Sequence, residues 1–180
     1  MRTTLLACVL SLCPVASGSA GPGEDGVSAF ERGDYTAALW LWRPLAEKGN
    51  ATAQYLIGHM YDRGLGVPQD DVMAVEWYRK AAEQGDASAQ LKLGVRYAKG
   101  EGVPQDDAVA HKWLNLAASR YPASAVTWRE KAIELREASA TRMTPAQIAE
   151  AQRMAREWKP KKKRANASLG LKSGTGGASD

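Results

Sequence analysis

A repeat of 36 residues constrains the fold of this chain more than any other feature. When residues 50–85 are aligned with residues 86–121, sixteen positions carry the same amino acid. The longest identical run is GVPQDD, which occupies 66–71 and again 102–107. Self-similarity at a period of about 20 to 50 residues is typical of stacked repeat arrays, whose units bury their apolar faces against one another. The sequence therefore predicts an array of stacked units.

Each unit carries the signals of two helices. In the first, Ala53, Ile57 and Tyr61 fall on a single helical face. The second has a stripe of one bulky ring among small residues, formed by Ala74, Trp77, Tyr78, Ala81 and Ala82 and repeated by Ala110, Trp113, Leu114, Ala117 and Ala118. A helix pair is the expected element of each unit.

Glycines and aspartates give the units their boundaries. Gly58 recurs as Gly94 in the middle of a predicted helix, where glycine costs about 1 kcal/mol, so we expect another backbone to approach closely there. The loop glycines, Gly64 and Gly66 with their counterparts Gly100 and Gly102, suit left-handed backbone. Asp70 and Asp106 are the expected N-caps of the second helices.

Two divergent units flank the clear pair. The stripe recurs upstream at Ala38, Leu41, Trp42, Leu45 and Ala46, with Pro44 expected to kink the helix. Downstream we expect a helix over about 123–138 and then a capping box at Thr144-Pro145-Ala146-Gln147. The last helix would present Ile148, Ala151, Ala155 and Trp158 on one face. The predicted units are 24–49, 50–85, 86–121 and 122–158, within a repeat domain over 21–158.

Both ends of the chain differ from the repeats. Arg2, an apolar run from Leu5 to Val15 and small residues to Ala20 indicate a signal peptide over 1–20. Cleavage is expected after Ala20 or after Gly18. The only cysteines, Cys8 and Cys13, lie in this segment, so the mature chain would have no thiol.

A basic tail, predicted to be disordered, occupies 159–180. Its six basic groups and one acid account for the formal net charge of +4, since the rest of the chain sums to −1. Most of these charges form one cluster: Lys159, Lys161, Lys162, Lys163 and Arg164. Contact with an anionic surface is possible there, whereas a specific nucleic-acid-binding fold is not indicated.

The spaced positions of the unit resemble the Sel1-like repeat, a relative of the tetratricopeptide repeat. The matching pattern runs from Ala53 through Gly58, Tyr61, the GxGV loop, Asp70 and Trp77-Tyr78 to Gly85. The resemblance implies an all-α fold, an α-solenoid of antiparallel helix pairs, and a role as an adaptor without catalytic residues. The sequence departs from the family at Asp71 and Asp107, where an aromatic is common, so looser packing is expected there.

Chemical interpretations of the same motifs are weaker. Asp70-Asp71 lacks the alternating oxygen ligands of a calcium loop, and the glycine loop lacks the strand and the Gly-Lys-Ser/Thr of a P-loop. His59 and His111 do not recur and lie in no ligand spacing. No catalytic residue, cofactor or metal is predicted.

Partner-binding candidates lie on the first helices, away from the core stripe. They are Tyr55, His59, Asp62, Leu91 and Val95. In related solenoids the first helices line the concave surface, so these residues form either a groove for a protein or peptide partner or a packing surface for the next repeat.

The sequence therefore predicts an exported, non-catalytic scaffold that binds proteins in the bacterial periplasm or outside the cell, with no transmembrane segment in the mature chain. An envelope enzyme or accessory factor acting on cell wall, and a secreted host-directed effector with a basic tail, are the alternatives.

Overall fold

The computed structural model describes residues 21–161, and this part of the chain is entirely helical. It contains eight helices: α1 (Pro22–Glu31), α2 (Tyr35–Glu47), α3 (Ala51–Arg63), α4 (Asp71–Glu83), α5 (Ala87–Lys99), α6 (Asp107–Arg120), α7 (Val126–Ala140) and α8 (Pro145–Glu157). The predicted signal peptide, both cysteines and the tail beyond Lys161 lie outside the described residues.

The first six helices form three pairs, α1/α2, α3/α4 and α5/α6. The two helices of each pair pack against each other, and the second helix of one pair packs against the first helix of the next, as α2 does against α3 and α4 against α5. Buried side chains follow the predicted stripes, and Ala74, Tyr78, Ala81, Ala110, Leu114 and Ala117 are fully excluded from solvent. The predicted all-α solenoid is confirmed.

The polar residues before each helix act as the expected caps. The Asp70 carboxylate accepts a hydrogen bond from the Met73 N–H at 2.9 Å, which satisfies one of the donors that a helix start leaves free. Asp34, Asn50, Asp86 and Asp106 do the same for their helices. At α8, Thr144 and Gln147 form the predicted capping box.

The mid-helix glycines bring the two helices of a unit together. A Cβ atom on Gly58 would lie 2.7 Å from the Tyr78 ring and 3.3 Å from the Ala74 carbonyl. On Gly94 it would lie 2.7 Å from Leu114 Cγ. The predicted close approach is therefore present at both positions, and it explains why these helix interiors contain a residue of low helix propensity.

The second loop glycine joins one unit to the unit before it. Gly66 and Gly102 have positive φ values of 68° and 71°, as expected. In addition, a Cβ on Gly66 would lie 2.8 Å from Tyr35 Cβ, and one on Gly102 would overlap the Asp71 carbonyl at the start of α4. Each glycine loop thus rests on the first turn of the preceding second helix.

A buried glutamine repeats at the same interfaces. Gln54 donates from its side-chain amide to the Ala46 carbonyl at 2.9 Å, and Gln90 donates to the Ala82 carbonyl at 3.0 Å. These carbonyls lie at the ends of α2 and α4, where helices lack internal partners. The two glutamines therefore fasten each unit to the end of the previous one.

The last two helices depart from the pattern. α7 begins at Val126, later than the predicted start near 123, because the chain first makes a turn in which the Ala125 N–H donates to the Pro122 carbonyl at 2.9 Å. α7 and α8 both pack against α6 and hardly against each other. They form a cap on α6, and Ala151 and Ala155 of the predicted α8 face are buried. At the other end of the array, α2 continues past Pro44 to Glu47.

The chain after α8 folds back onto the second and third units. The Trp158 ring lies 6.2 Å from the Trp113 ring in an edge-on arrangement, and the Arg120 guanidinium stands 4.3 Å above Trp158. Lys161 then contacts Glu83 twice, through its backbone N–H and its Nζ, each at 2.7 Å. The tail predicted from residue 159 thus starts beside α4, and its disorder beyond Lys161 stays a prediction.

Gly102→Ala should destabilise the protein more than Gly33→Ala. Both glycines have left-handed backbone, so each substitution carries a conformational cost of about 1 kcal/mol. At Gly33 nothing lies within 4 Å of an added Cβ, whereas at Gly102 the Asp71 backbone must move. We expect a further loss of about 2 kcal/mol in the free energy of unfolding for Gly102→Ala, measured by urea denaturation. Equal losses in the two variants would contradict the inter-unit contact.

Candidate functional site

A cavity of about 250 Å³ lies on the face made by the first helices, between α3, α5 and the start of α7. We call it the second cavity, because a related one lies nearer the N-terminus. It is lined by aromatic, basic and small polar side chains: Tyr55, His59, Arg63, Ser88, Leu91, Lys92, Tyr121 and Trp128. Their arrangement follows from the stacking, which aligns one face of α3 beside the corresponding face of α5.

The structure brings together three of the five predicted partner-binding residues. Tyr55, His59 and Leu91 line the second cavity. Val95 is half-buried and lies outside the lining. Asp62 points into a network of ion pairs instead. The partner-binding role of all five stays a prediction.

Tyr55 and Leu91 also belong to the core. The Tyr55 ring packs 5.8 Å from the Tyr78 ring, and Leu91, only 6% exposed, lies against Leu114 and Ala117. Both residues therefore pack in the core and line the cavity, and whether that cavity is a groove for a partner stays a prediction. Alanine at either position would disturb both.

The rim of the second cavity consists of residues that the sequence did not single out. Trp128 is 58% exposed, a large fraction for an indole, and the exposed Arg63 and half-buried Lys92 border it. The Tyr121 hydroxyl donates to Ser88 Oγ at 3.3 Å across the cavity. One signal was available, since Trp128 lies 36 residues after Lys92, but the divergence of the last unit conceals that correspondence.

The cavity is positively charged although its histidine is neutral. Burial lowers the pKa of His59, and the nearby charges of Lys92 and Arg63 lower it further, against a smaller opposing effect of Asp62. Burial, followed by the neighbouring Tyr121 and carboxylates, raises the pKa of Tyr55, so its hydroxyl keeps its proton. The site thus offers two cations and neutral donors to a ligand.

Asp62 and Arg96 form a buried ion pair between the second and third units. Asp62 also accepts a hydrogen bond from the Tyr78 hydroxyl at 2.9 Å and lies 3.5 Å from Lys92 Nζ. Burial alone would raise the pKa of Asp62, but the Tyr78 hydrogen bond and the charge of Arg96 outweigh it, so the pKa is lowered. Asp62 is therefore ionised and fully engaged.

Arg96 extends this network to the glycine loop of its own unit. It is 7% exposed, and its Nη1 lies 2.8 Å from Asp71 and 2.9 Å from Glu101. The equivalent of Asp71 in the next unit, Asp107, pairs with Arg142 after α7. Asp71 and Asp107 stand where the family commonly has an aromatic residue. Each of them instead forms an ion pair that joins the start of its helix to a later part of the chain.

The remaining chemical candidates are accounted for by packing. His111 is 4% exposed, and burial followed by the charge of Arg136 lowers its pKa. Within residues 21–161, no three His, Cys, Asp or Glu side chains cluster closely enough to hold a metal ion. In the same range, none of the helices combines the length and the apolar character that crossing a bilayer requires.

Comparison with known proteins identifies the repeat. The sequence model of the Sel1 repeat family matches residues 22–50, 51–86 and 87–121, which is more than half of the chain. No curated protein matches the chain.

Two solved structures are similar. One is a protective antigen present in uropathogenic Escherichia coli strains that displays an SLR fold; it is 28% identical with a TM-score of 0.69, and the match covers 79% of this chain and 30% of that one. The other is a Sel1 repeat protein from Oxalobacter formigenes, 31% identical with a TM-score of 0.53, and the match covers 64% of this chain and 55% of that one. The present chain thus spans less than two thirds of either. It belongs to the Sel1-repeat family.

Arg96→Leu should destabilise the protein strongly, because it leaves the buried Asp62 carboxylate without its main cation. We expect a loss of about 3 kcal/mol in the free energy of unfolding. Arg142→Leu is the matched control, since Arg142 is 46% exposed and pairs with the corresponding Asp107. Its loss should stay below about 1 kcal/mol in the same chemical denaturation experiment. Similar losses in the two variants would show that the Asp62–Arg96 pair contributes no more to the free energy of unfolding than the Asp107–Arg142 pair.

Proposed function

We propose that this Sel1-repeat protein is an exported adaptor that binds a protein partner at the second cavity. Sel1 repeats generally mediate protein–protein interaction and typically form non-catalytic scaffolds. The proposal adds to this a location in the bacterial envelope or outside the cell, and a particular surface. An envelope enzyme is less favoured, since among residues 21–161 no hydrogen bond joins the Ser88 hydroxyl to His59 or Lys92, the bases that line the cavity, and Ser88 Oγ instead accepts a hydrogen bond from Tyr121.

The observation that carries the choice of surface is the exposed Trp128 beside Tyr55, Tyr121 and two cations. Tryptophan, tyrosine and arginine are the residues that most often dominate binding energy at protein interfaces. Here they surround a concavity that is already formed, so a partner would meet little cost of ordering them. Trp40 is more exposed, at 77%, but lies on α2 away from this cavity.

Export is supported by the N-terminal sequence alone. A positive residue, an apolar run too short to span a bilayer and small residues up to Ala20 favour a cleaved signal. The relative described as a protective antigen gives a bacterial precedent for this fold among antigens. The basic cluster after Trp158 would then face anionic lipid, cell wall or an acidic protein.

A photocrosslinking amino acid placed at Trp128 should capture the partner in living cells of the source bacterium. The same amino acid at Trp40 is the matched control, because it replaces the same residue type at an exposed site on a second helix. We expect a discrete crosslinked species from position 128 that is absent from position 40 and is lost when Arg63→Gln is added. Detection is by immunoblot and mass spectrometry.

The variants must keep their melting temperatures, which circular dichroism checks. Equal crosslinking from both positions, or none from position 128, would contradict a partner site at the second cavity. Capture only inside an infected host cell would support the effector alternative.

Export predicts a shortened chain outside the cytoplasm. Intact-mass measurement of the protein in the periplasmic and culture fractions should show an N-terminus at Gly21 or Ser19, matching cleavage after Ala20 or Gly18. A variant with Leu6→Arg and Leu10→Arg should remain full length in the cytoplasm, because charges in the apolar run block its recognition. A full-length wild-type chain confined to the cytoplasm would refute the envelope location and leave the binding site to be tested separately.

A further inference from the structure

Another cavity on the same face occupies the equivalent position one unit nearer the N-terminus. We call it the first cavity; its volume is about 270 Å³ and it lies between α1, α2 and α3. Four of its lining residues have counterparts in the lining of the second cavity. In α3 and α5 these are Thr52 and Ser88, and Leu56 and Lys92, at the offset of 36. In α1 and α3 they are Gly23 and Tyr55, and Val27 and His59, at an offset of 32, because the loop after α1 is four residues shorter than the loop after α3; accordingly a Cβ on Gly26 would meet Trp42 as one on Gly58 would meet Tyr78. The two cavities are therefore successive copies of one site, formed where neighbouring first helices face each other.

The copies have diverged in chemistry. The wall of the first cavity is almost wholly apolar and includes Val27, Leu45 and Leu56 with one side of Trp42. The second cavity carries Lys92 at the position of Leu56 and His59 at the position of Val27, and it contains Arg63 in addition. An apolar side chain would thus lose its water favourably in the first cavity, and an anion would be favoured in the second.

The local charges also fix which cavity takes the anion. Glu24 is exposed at the rim of the first cavity and would repel a carboxylate there. In the second cavity Lys92 contacts Asp62, which Arg96 and Tyr78 already hold, while Arg63 has no carboxylate within salt-bridge distance among residues 21–161. Arg63 is therefore the cation available to a ligand.

The distance between the cavities corresponds to a short stretch of extended peptide. Successive units of a helical array are displaced by about 10 Å, the usual spacing of packed helices. A chain in the polyproline II conformation advances about 3.1 Å per residue and turns once every three residues, so side chains about three residues apart face the same way and can enter neighbouring cavities.

We propose that the first-helix face binds a segment of a protein partner in the polyproline II conformation that carries an apolar side chain and a carboxylate about three residues apart. The apolar side chain enters the first cavity, and the carboxylate pairs with Arg63 and Lys92 in the second. This specificity rests on the proposed function of the second cavity as a partner site. The partner segment can run in either direction along this face, because the spacing between its two side chains is the same in both.

Selection of phage-displayed random peptides on the full chain tests this pattern. We expect the enriched peptides to share an aliphatic or aromatic residue and an Asp or Glu separated by about three positions. A synthetic peptide from the selection should lose about tenfold in affinity when its Asp or Glu is changed to the amide, measured by fluorescence anisotropy. Enrichment of basic residues, of no acidic residue or of no peptide at all would overturn the proposal.

Substitutions in the protein test which cavity binds the carboxylate of the peptide and which binds its apolar side chain. Arg63→Gln should weaken the acidic peptide about tenfold and leave its amide form unchanged. Lys99→Ala is the control, because Lys99 lies 36 residues after Arg63 and outside both linings. Val27→Arg places a cation in the lining of the first cavity, so a repeated selection should replace the apolar residue with a second acidic one. An unchanged selection with Val27→Arg would overturn the placement of the apolar side chain.

Failure of this specificity can be distinguished from failure of the partner site itself. Peptides whose binding needs Trp128 but shows no preference for a carboxylate would refute the specificity and keep the proposed function. Peptides whose affinity does not change with Trp128→Ala, Arg63→Gln or Val27→Arg would refute both.

Discussion

The contact on which the array depends is the one between a glycine loop and the preceding second helix. Gly66 rests on Tyr35 and Gly102 on the first turn of α4, and in both cases a single methyl group would collide with that helix start. Because the glycines bring no side chain to this contact, the units come together at a distance set by backbone and Cβ atoms, with little room to adjust. The spacing of the first helices, and hence the size of the clefts between them, follows from that distance. The shape of the proposed binding surface thus depends on contacts in which none of the cavity residues takes part.

A second kind of contact is specific to one junction. The Asp62–Arg96 pair, extended by Tyr78, Asp71 and Glu101, ties only the second unit to the third. The residue 36 positions before Arg96 is Met60, which is buried in an apolar cluster at the first junction. The two junctions therefore share glycines and glutamines but differ in the chemistry of their remaining contacts. Added salt should act on them differently, since kosmotropic salts strengthen apolar burial, whereas dissolved ions screen ion pairs.

The sequence predicts what is local or periodic. Caps such as Asp70, the close approach at Gly58 and the buried stripe around Trp77 follow from helix chemistry and the repeat, and the Sel1 resemblance supplies the fold. The candidate site was predicted only in part. Asp62 shares a helical face with Tyr55 and His59, but its partner Arg96 lies 34 residues away, and no helical pattern indicates that the two meet. Trp128 was missed because Pro122 delays the start of α7 and obscures the register. Helix faces are properties of single segments, whereas cavities are properties of the segments that stacking brings together.

The way in which α7 and α8 close the array limits how such a protein can change in length. Both helices lie on α6, and Trp158 with Lys161 continues back across Trp113 to Glu83. The surface of α6 that a following helix pair would cover is therefore occupied by α7, α8 and residues 158–161. Tandem duplication of a 36-residue segment in the gene would yield a longer, well-packed protein if the copy were inserted before residue 122. The same copy appended after residue 161 would find no free end to stack on, so lineages that lengthen this scaffold should do so from within.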